Sequence, residues 1–268
     1  MLRKVALITG CSKGFGYMFA LKLARAGYQV VATGRVMLRM QALKDQAVKE
    51  GLAIDLLELD VNRLETIGAV VGFIVEKYGR IDVLVNNAGY GLYAFFEDAQ
   101  VREVQDMFQT NVFGLIAVTQ AVLPIMKQQH GGHIVNISSA AVAGVLPMMG
   151  FYSATKWAVE AISEALYYEL AKEQIKVSLI QPGPFKTEFS KSAVWNADTE
   201  NKDSAKMRLH PPFKEDPEKV AELLLKIVQN KSPKLRYPVG YVAKAVFMLR
   251  KIFPQESFVR VQRWLLSR

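Results

Sequence analysis

Short runs that are apolar nearly throughout alternate along this chain with longer stretches whose apolar residues recur at helical spacing, and few folds accept such a pattern. Strands are expected at about 4–9, 28–33, 53–59, 81–85, 133–137, 176–181 and 235–238. Helices are expected at about 14–26, 37–50, 64–78, 100–129, 152–173 and 217–229. Strands without polar alternation are buried on both faces, which in a strand-helix-strand chain calls for a parallel sheet covered by helices on both sides through right-handed crossovers. The first helical stretch shows the logic: Phe15, Phe19, Leu23 and Ala26 share one face, and Gly27 stops it. The expected fold class is therefore α/β, a single doubly wound domain with a seven-stranded parallel sheet over 1–240 and a helical extension at 241–268. The stretch at 184–217 breaks the pattern. It is polar, contains Pro211, Pro212 and Pro217, lacks periodicity, and loops of this length in a compact domain are usually functional.

Composition removes several alternatives. With 51% hydrophobic residues, 18 Gly and 10 Pro, the chain is neither disordered nor collagen-like. Its single cysteine, Cys11, excludes an intramolecular disulfide and a thiolate-rich zinc site, and fits a reducing compartment. Three histidines leave little for a histidine-rich metal centre. The apolar run near Met1 is too short for a secretory signal, and no apolar run reaches the roughly 18 residues of a membrane span, so a cytoplasmic location is expected.

The formal charge of +9 suggests an anionic partner until it is located. Residues 231–268 hold nine bases (Lys231, Lys234, Arg236, Lys244, Arg250, Lys251, Arg260, Arg263 and Arg268) against one acid, Glu256, so almost the whole excess sits in the tail. No nucleic-acid recognition motif accompanies it, and nucleic acid is not expected as a partner. Tail and apolar residues together make a basic amphipathic segment, interrupted near Pro254.

Immediately after the first strand the chain reads Thr9-Gly10-Cys11-Ser12-Lys13-Gly14-Phe15-Gly16 and enters a helix. Glycines there permit positive φ and let the backbone approach a pyrophosphate resting on the helix N-terminus. After the second strand, where sheets that select NAD place an acid on the ribose, the chain has Arg35 instead. With Lys13, this guanidinium suits a 2′-phosphate, so NADP(H) is favoured over NAD(H). Asp60, followed by Val61, either faces the adenine amino group or caps the next helix.

Tyr152 and Lys156, four apart at the start of a helix, share one face. A neighbouring ammonium favours phenolate, so Lys156 is expected to lower the Tyr152 pKa and make the pair a proton-transfer device. Ser139 follows the fifth expected strand, on the sheet edge where doubly wound folds bind ligands, within reach of a reacting oxygen.

These motifs, taken in order, resemble the short-chain dehydrogenase/reductase family over residues 4–240: the loop from Thr9 to Gly16, Asp60, Asn86-Asn87-Ala88-Gly89, Asn111, Ser139, Tyr152 with Lys156, and Pro182-Gly183 to Thr187. The resemblance implies a Rossmann-type catalytic domain and hydride transfer to or from a nicotinamide, without a metal. It implies that Tyr152 exchanges the proton, that Ser139 orients the oxygen, and that Lys156 binds the nicotinamide ribose. Asn111 would hold a water linking Lys156 to solvent. Asn87, Ala88 and Gly89 would line the cofactor groove, while Pro182, Gly183 and Thr187 would seat the nicotinamide. A homo-oligomer is also implied. Asn86 reads equally as a sheet-stabilising residue, and Cys11 is not expected to be a nucleophile.

The aromatic and aliphatic residues at 90–96, 142–151 and in the long loop (Phe185, Phe189, Trp195) suit a small apolar carbonyl or alcohol substrate. Local text around Tyr90 and Arg236 is similar to hydroxysteroid- and retinol-dehydrogenase-like members of the family, which does not fix a substrate. The competing reading is a nucleotide sensor with the same fold and no turnover. The tail either packs over the substrate pocket or makes peripheral contact with an anionic membrane.

Overall fold

The computed structural model describes residues 3–189, 193–196 and 215–266. Seven strands form one sheet: β1 (Val5–Ile8), β2 (Gln29–Gly34), β3 (Ile54–Glu58), β4 (Val83–Asn86), β6 (Gly132–Ile137), β7 (Ile175–Pro182) and β9 (Arg236–Val239). They are all parallel, in the order β3-β2-β1-β4-β6-β7-β9. The chain winds outward from β1 to β3, then returns to place β4 on the other side of β1. The crevice above this reversal is where a doubly wound sheet receives its ligand.

Alternation along β1 explains both layers. Ala6 and Ile8 point to one face, where they pack with Phe19 and Leu23 of α1 (Gly14–Arg25) and Leu224 of α7 (Glu218–Gln229). Val5 and Leu7 point to the other, against Ile74 of α3 (Leu64–Tyr78) and Val122 of α5 (Gly114–Gln128). Strands inside the sheet are buried along almost their whole length, whereas β3 at one edge is only half-buried. Phe19 is fully buried and stacks on Phe15 at 5.9 Å between ring centroids. Phe19→Ala should therefore lower unfolding free energy by about 3–5 kcal/mol in a denaturant titration, because the cavity adds to the lost transfer energy.

All seven expected strands and six helical stretches are present, with shifted ends. The stretch at 37–50 divides into a 3₁₀ turn, Met37–Met40, and α2, Gln41–Glu50. That at 152–173 becomes α6, Gly150–Glu169, followed by a 3₁₀ turn, Ala171–Glu173. The expected helix at 100–129 is α4 (Val101–Phe108), a π turn (Gln109–Phe113) and α5. Together, Val101–Gln128 is long and apolar enough to cross a membrane by length and composition. Its residues Met107, Val118, Val122 and Met126 are fully buried in the cores, so its hydrophobicity is used within the domain.

The sequence reading lacked a small second sheet. Here β5 (Leu92–Ala94) pairs in parallel with β8 (Val194–Asn196), which belongs to the stretch expected to be a loop. Trp195 consequently lies 4.6 Å from the Tyr93 ring. Another part of that stretch closes on itself where Phe185 bridges Glu215. Residues 190–192 and 197–214 of this stretch lie outside the described residues. The tail forms α8 (Tyr241–Ile252) and α9 (Gln255–Leu266), separated at Pro254.

Candidate active site

A continuous cavity of about 1310 Å³ runs along the carboxyl edge of the sheet from the glycine loop to the tail. Gly10 and Gly14 occupy positive φ, +72° and +59°, so the loop turns as the residue types require. A Cβ on Gly16 would stand 2.2 Å from the Gly10 carbonyl oxygen, which shows how closely the helix start packs under the loop. Gly10, Ser12, Lys13, Gly14 and Phe15 line the cavity; Thr9 and Gly16 support it from behind. The Thr9 hydroxyl oxygen accepts the N–H groups of Asn87 and Ala88, each at 3.0 Å. Asn87 Nδ2 in turn donates to the carbonyls of Thr9 at 2.9 Å and Gly10 at 3.0 Å, tying the loop after β1 to the end of β4.

Cys11 lies within the loop but is fully buried, and burial pushes its thiol up to about 12. Such a thiol is a poor nucleophile near neutral pH. Asn86 donates to Thr119 at 3.0 Å and to Asn136 at 2.9 Å, and Asn136 donates to Ser163 at 2.8 Å. This buried network beneath the site favours the sheet-stabilising reading of Asn86.

Arg35 is exposed and lines the cavity, as Lys13 does. Arg39, which the sequence reading did not select, also lines it from the 3₁₀ turn that follows β2. Its spacing of four from Arg35 was the available signal. Asp60 is outside the lining, while Val61 and Asn62 belong to it. The Asp60 carboxylate accepts the Asn62 N–H at 3.0 Å, and the N-cap of α3 is Arg63. Asp60 thus makes a turn before the helix rather than capping it.

Ser139, Tyr152 and Lys156 line the same cavity between the glycine loop and the tail. Ser139 caps a short 3₁₀ turn by accepting the Ala141 N–H at 3.2 Å. Tyr152 is buried, with the rings of Tyr93 at 6.4 Å and Phe189 at 5.7 Å. Burial pushes the phenol up to about 12, opposed by its hydrogen bond with Ser139. The net shift is upward, whereas the Lys156–Tyr152 spacing alone leads to an expected lowering. The ammonium stands 5.7 Å from the Tyr152 ring centre and donates to the Ile137 carbonyl at 2.9 Å. Burial also brings Lys156 down to about 8, with Glu160 one turn away acting in the opposite direction. Desolvation thus outweighs the Ser139 hydrogen bond at Tyr152 and the charge of Glu160 at Lys156.

Asn111 lies in the π turn, a local irregularity that often accompanies functional positions. Its Oδ1 accepts the Tyr90 N–H at 3.0 Å, and its Nδ2 donates to the Tyr90 carbonyl at 2.9 Å and to Thr155 Oγ1 at 3.2 Å. Asn111 is not among the cavity-lining residues. These bonds occupy the side-chain amide and support the wall of the cavity. Gly89 leaves the needed space: a Cβ there would approach Asn111 Oδ1 to 2.9 Å. Pro182, Gly183 and Thr187 line the cavity opposite, and no group of three metal-ligating side chains occurs among the described residues.

The tail supplies a wall that individual motifs did not indicate. Val246 and Leu249 of α8, and Phe258 and Leu265 of α9, line the cavity. Arg250 fastens α8 by donating to the carbonyls of Val142 at 3.0 Å and Ala143 at 2.9 Å. Gln262 fastens α9 by donating to the Val145 carbonyl at 2.7 Å. The tail packs over the pocket, one of the two arrangements considered for it.

A doubly wound parallel sheet with a tight glycine loop facing Ser139, Tyr152 and Lys156 defines a nucleotide-binding oxidoreductase class. The short chain dehydrogenase family model matches residues 4–197, and the chain belongs to the short-chain dehydrogenase/reductase family. It is 36% identical to a 3-ketodihydrosphingosine reductase of Bacteroides thetaiotaomicron, covering 97% of this chain and 96% of that protein. It is 32% identical to retinol dehydrogenase 8 of Bos taurus, covering 99% and 91%. A short-chain dehydrogenase structure from Streptomyces avermitilis superposes with a TM-score of 0.86 at 32% identity, covering 98% of this chain and 96% of the other.

The cofactor class is also seen in solved relatives. A structure from Burkholderia phymatum, with a TM-score of 0.84, 26% identity and 94% coverage of both chains, contains NAD. A gluconate 5-dehydrogenase from Burkholderia cenocepacia, with a TM-score of 0.78, 25% identity and coverage of 91% and 96%, contains NADP. The close-packed glycine loop and the cavity connecting it to Tyr152 fit a nicotinamide dinucleotide in this chain as well.

Proposed function

We propose that this protein is an NADPH-dependent reductase of apolar carbonyl compounds, with Tyr152 as proton donor. The observation carrying this reading is the continuous cavity, which has Lys13, Arg35 and Arg39 at one end, Ser139, Tyr152 and Lys156 in the middle, and apolar tail residues at the other. Gly10, Ser12, Gly14 and Phe15 would hold the pyrophosphate, while the three cations would hold the 2′-phosphate. Val61 would border the adenine. Asn87, Ala88 and Gly89 would form the groove; Pro182, Gly183 and Thr187 would seat the nicotinamide, and Lys156 its ribose. Thr9 and Gly16 shape the loop, and Asp60 shapes the turn that presents Val61 and Asn62. Asn111 is a positioning residue that fixes Tyr90 and Thr155 around Lys156. The bound cofactor supplies the hydride.

Tyr152, held protonated across neutral pH, gives its proton to the carbonyl oxygen as that oxygen gains charge. Ser139 donates a hydrogen bond to the same oxygen and sets its direction. A protonated Lys156 then favours the phenolate left behind. Since Lys156 is brought down to about 8, its charge is present below that pH and lost above it. The reduction rate is therefore expected to be level at lower pH and to fall as pH rises through about 8, whereas Tyr152, pushed up to about 12, adds no break in that range. A pH–rate profile without a fall between about 7 and 10 would count against the Lys156 role.

The 3-ketodihydrosphingosine in the name of the Bacteroides relative and the retinol in that of the bovine one agree with the apolar wall. A homologous series of aldehydes and ketones tests the substrate class. With NADPH, kcat/KM should rise by about fourfold per added methylene until the cavity is filled; a flat series would reject an apolar substrate. A homo-oligomer, as the family resemblance implies, is the proposed assembly, to be checked by light scattering.

A further inference from the structure

The tail helices have two faces, and the inner one explains only half of their residues. Val242, Val246, Leu249 and Phe253 follow helical spacing and line the cavity. On the outer side of α8, Tyr241, Met248 and Ile252 are 74%, 63% and 62% exposed, beside exposed Lys244 and Lys251. On α9, Val259 and Trp264 are 51% and 53% exposed, beside exposed Arg260 and Arg263. Across both helices Glu256 is the single acid among the described residues. Large apolar side chains interleaved with cations at this density match a surface that offers both negative charge and hydrocarbon.

The cavity opens in the same place. Leu249, Phe253, Val261 and Leu265 line it, yet remain 42%, 47%, 54% and 60% exposed. A lining residue that is half exposed stands at a mouth. The mouth is therefore apolar and lies between the two basic helices.

We propose that the outer face of α8 and α9 docks on an anionic lipid surface, with the cavity mouth turned toward the bilayer so that an apolar substrate enters from lipid. Charge complementarity selects this occupant: the face bears four exposed cations, while apolar side chains among them penetrate the headgroup boundary. An acidic protein surface would satisfy the cations and leave Met248, Ile252 and Trp264 facing polar groups. Substrate entry rests on the carbonyl-reductase reading; the docking itself does not.

Flotation of the full chain with vesicles tests the docking. The chain should float with vesicles of phosphatidylcholine and phosphatidylglycerol at low salt, remain behind with phosphatidylcholine alone, and dissociate as salt rises. Replacing Lys244, Lys251, Arg260 and Arg263 together by serine should weaken vesicle binding at least about a hundredfold. Turnover of a short, water-soluble aldehyde should be unchanged, because none of the four lines the cavity. Turnover of a long-chain ketone supplied in anionic vesicles should fall in that variant. Absence of binding to anionic vesicles at low salt overturns the proposal, even if the face binds an acidic protein or a second copy of the chain. Equal vesicle binding by the fourfold variant overturns it too. If neither substrate is turned over by the parent chain while vesicle binding follows the expected pattern, the reductase reading fails and the docking stands.

Discussion

Tyr152→Phe is expected to lower kcat for carbonyl reduction by about 10²- to 10⁴-fold, the usual span for losing a positioned general acid, while NADPH binding changes little. The phenyl ring retains the packing between Tyr93 and Phe189, so the fold has no reason to change. What disappears is the proton, retained by burial against the opposing hydrogen bond with Ser139. Fluorescence titration with NADPH and steady-state rates on the same preparation separate the two effects. Parent-like turnover in the variant would remove Tyr152 from the chemistry. Ser139→Ala is less clean, because it also removes the acceptor for the Ala141 N–H.

The second large effect concerns cofactor choice. Replacing Arg35 and Arg39 together by alanine should weaken NADPH binding by about 10²-fold or more, since each charged hydrogen bond to the 2′-phosphate contributes on the order of 1.5–3 kcal/mol. NADH, which has no such phosphate, should lose less than about threefold. Both arginines are exposed, so stability should stay within about 0.5 kcal/mol of the parent. Equal losses for the two cofactors in parallel titrations would contradict the phosphate clamp. The single substitutions apportion the effect between a residue visible from its place after β2 and one that the 3₁₀ turn brings in.

The contrast between those arginines shows what was legible before any coordinates. Arg35 is legible as a candidate because strand ends in a doubly wound sheet occupy known places relative to a dinucleotide. Arg39 depended on how the following turn coils, which spacing alone left open. The seven main strands were legible because burial on both faces suppresses polar alternation. The small β5–β8 sheet was not, because each partner has three residues and their pairing joins segments about a hundred positions apart.

The chemistry of the site followed the same division. Residue types and spacing placed Ser139, Tyr152 and Lys156 along one cavity. Proximity of an ammonium to Tyr152 is readable from a four-residue spacing, whereas the desolvation that pushes the phenol up is a property of the whole surround. The bonds of Asn111 to Tyr90 and Thr155 are likewise a product of the π turn, which spacing does not reveal. The +9 charge is located by the sequence in the tail, but its division into an inner apolar wall and an outer cationic face is legible only in the fold.

The most direct test of the whole reading is to mix the purified chain with NADPH and a medium-chain ketone and to measure cofactor oxidation and product together. The expected result is one alcohol formed for each NADPH oxidised, with NADH much less effective. Tight NADPH binding without consumption across the full series of aldehydes and ketones, and without NADPH formation from the corresponding alcohols and NADP, would contradict catalysis and leave a nucleotide sensor in its place.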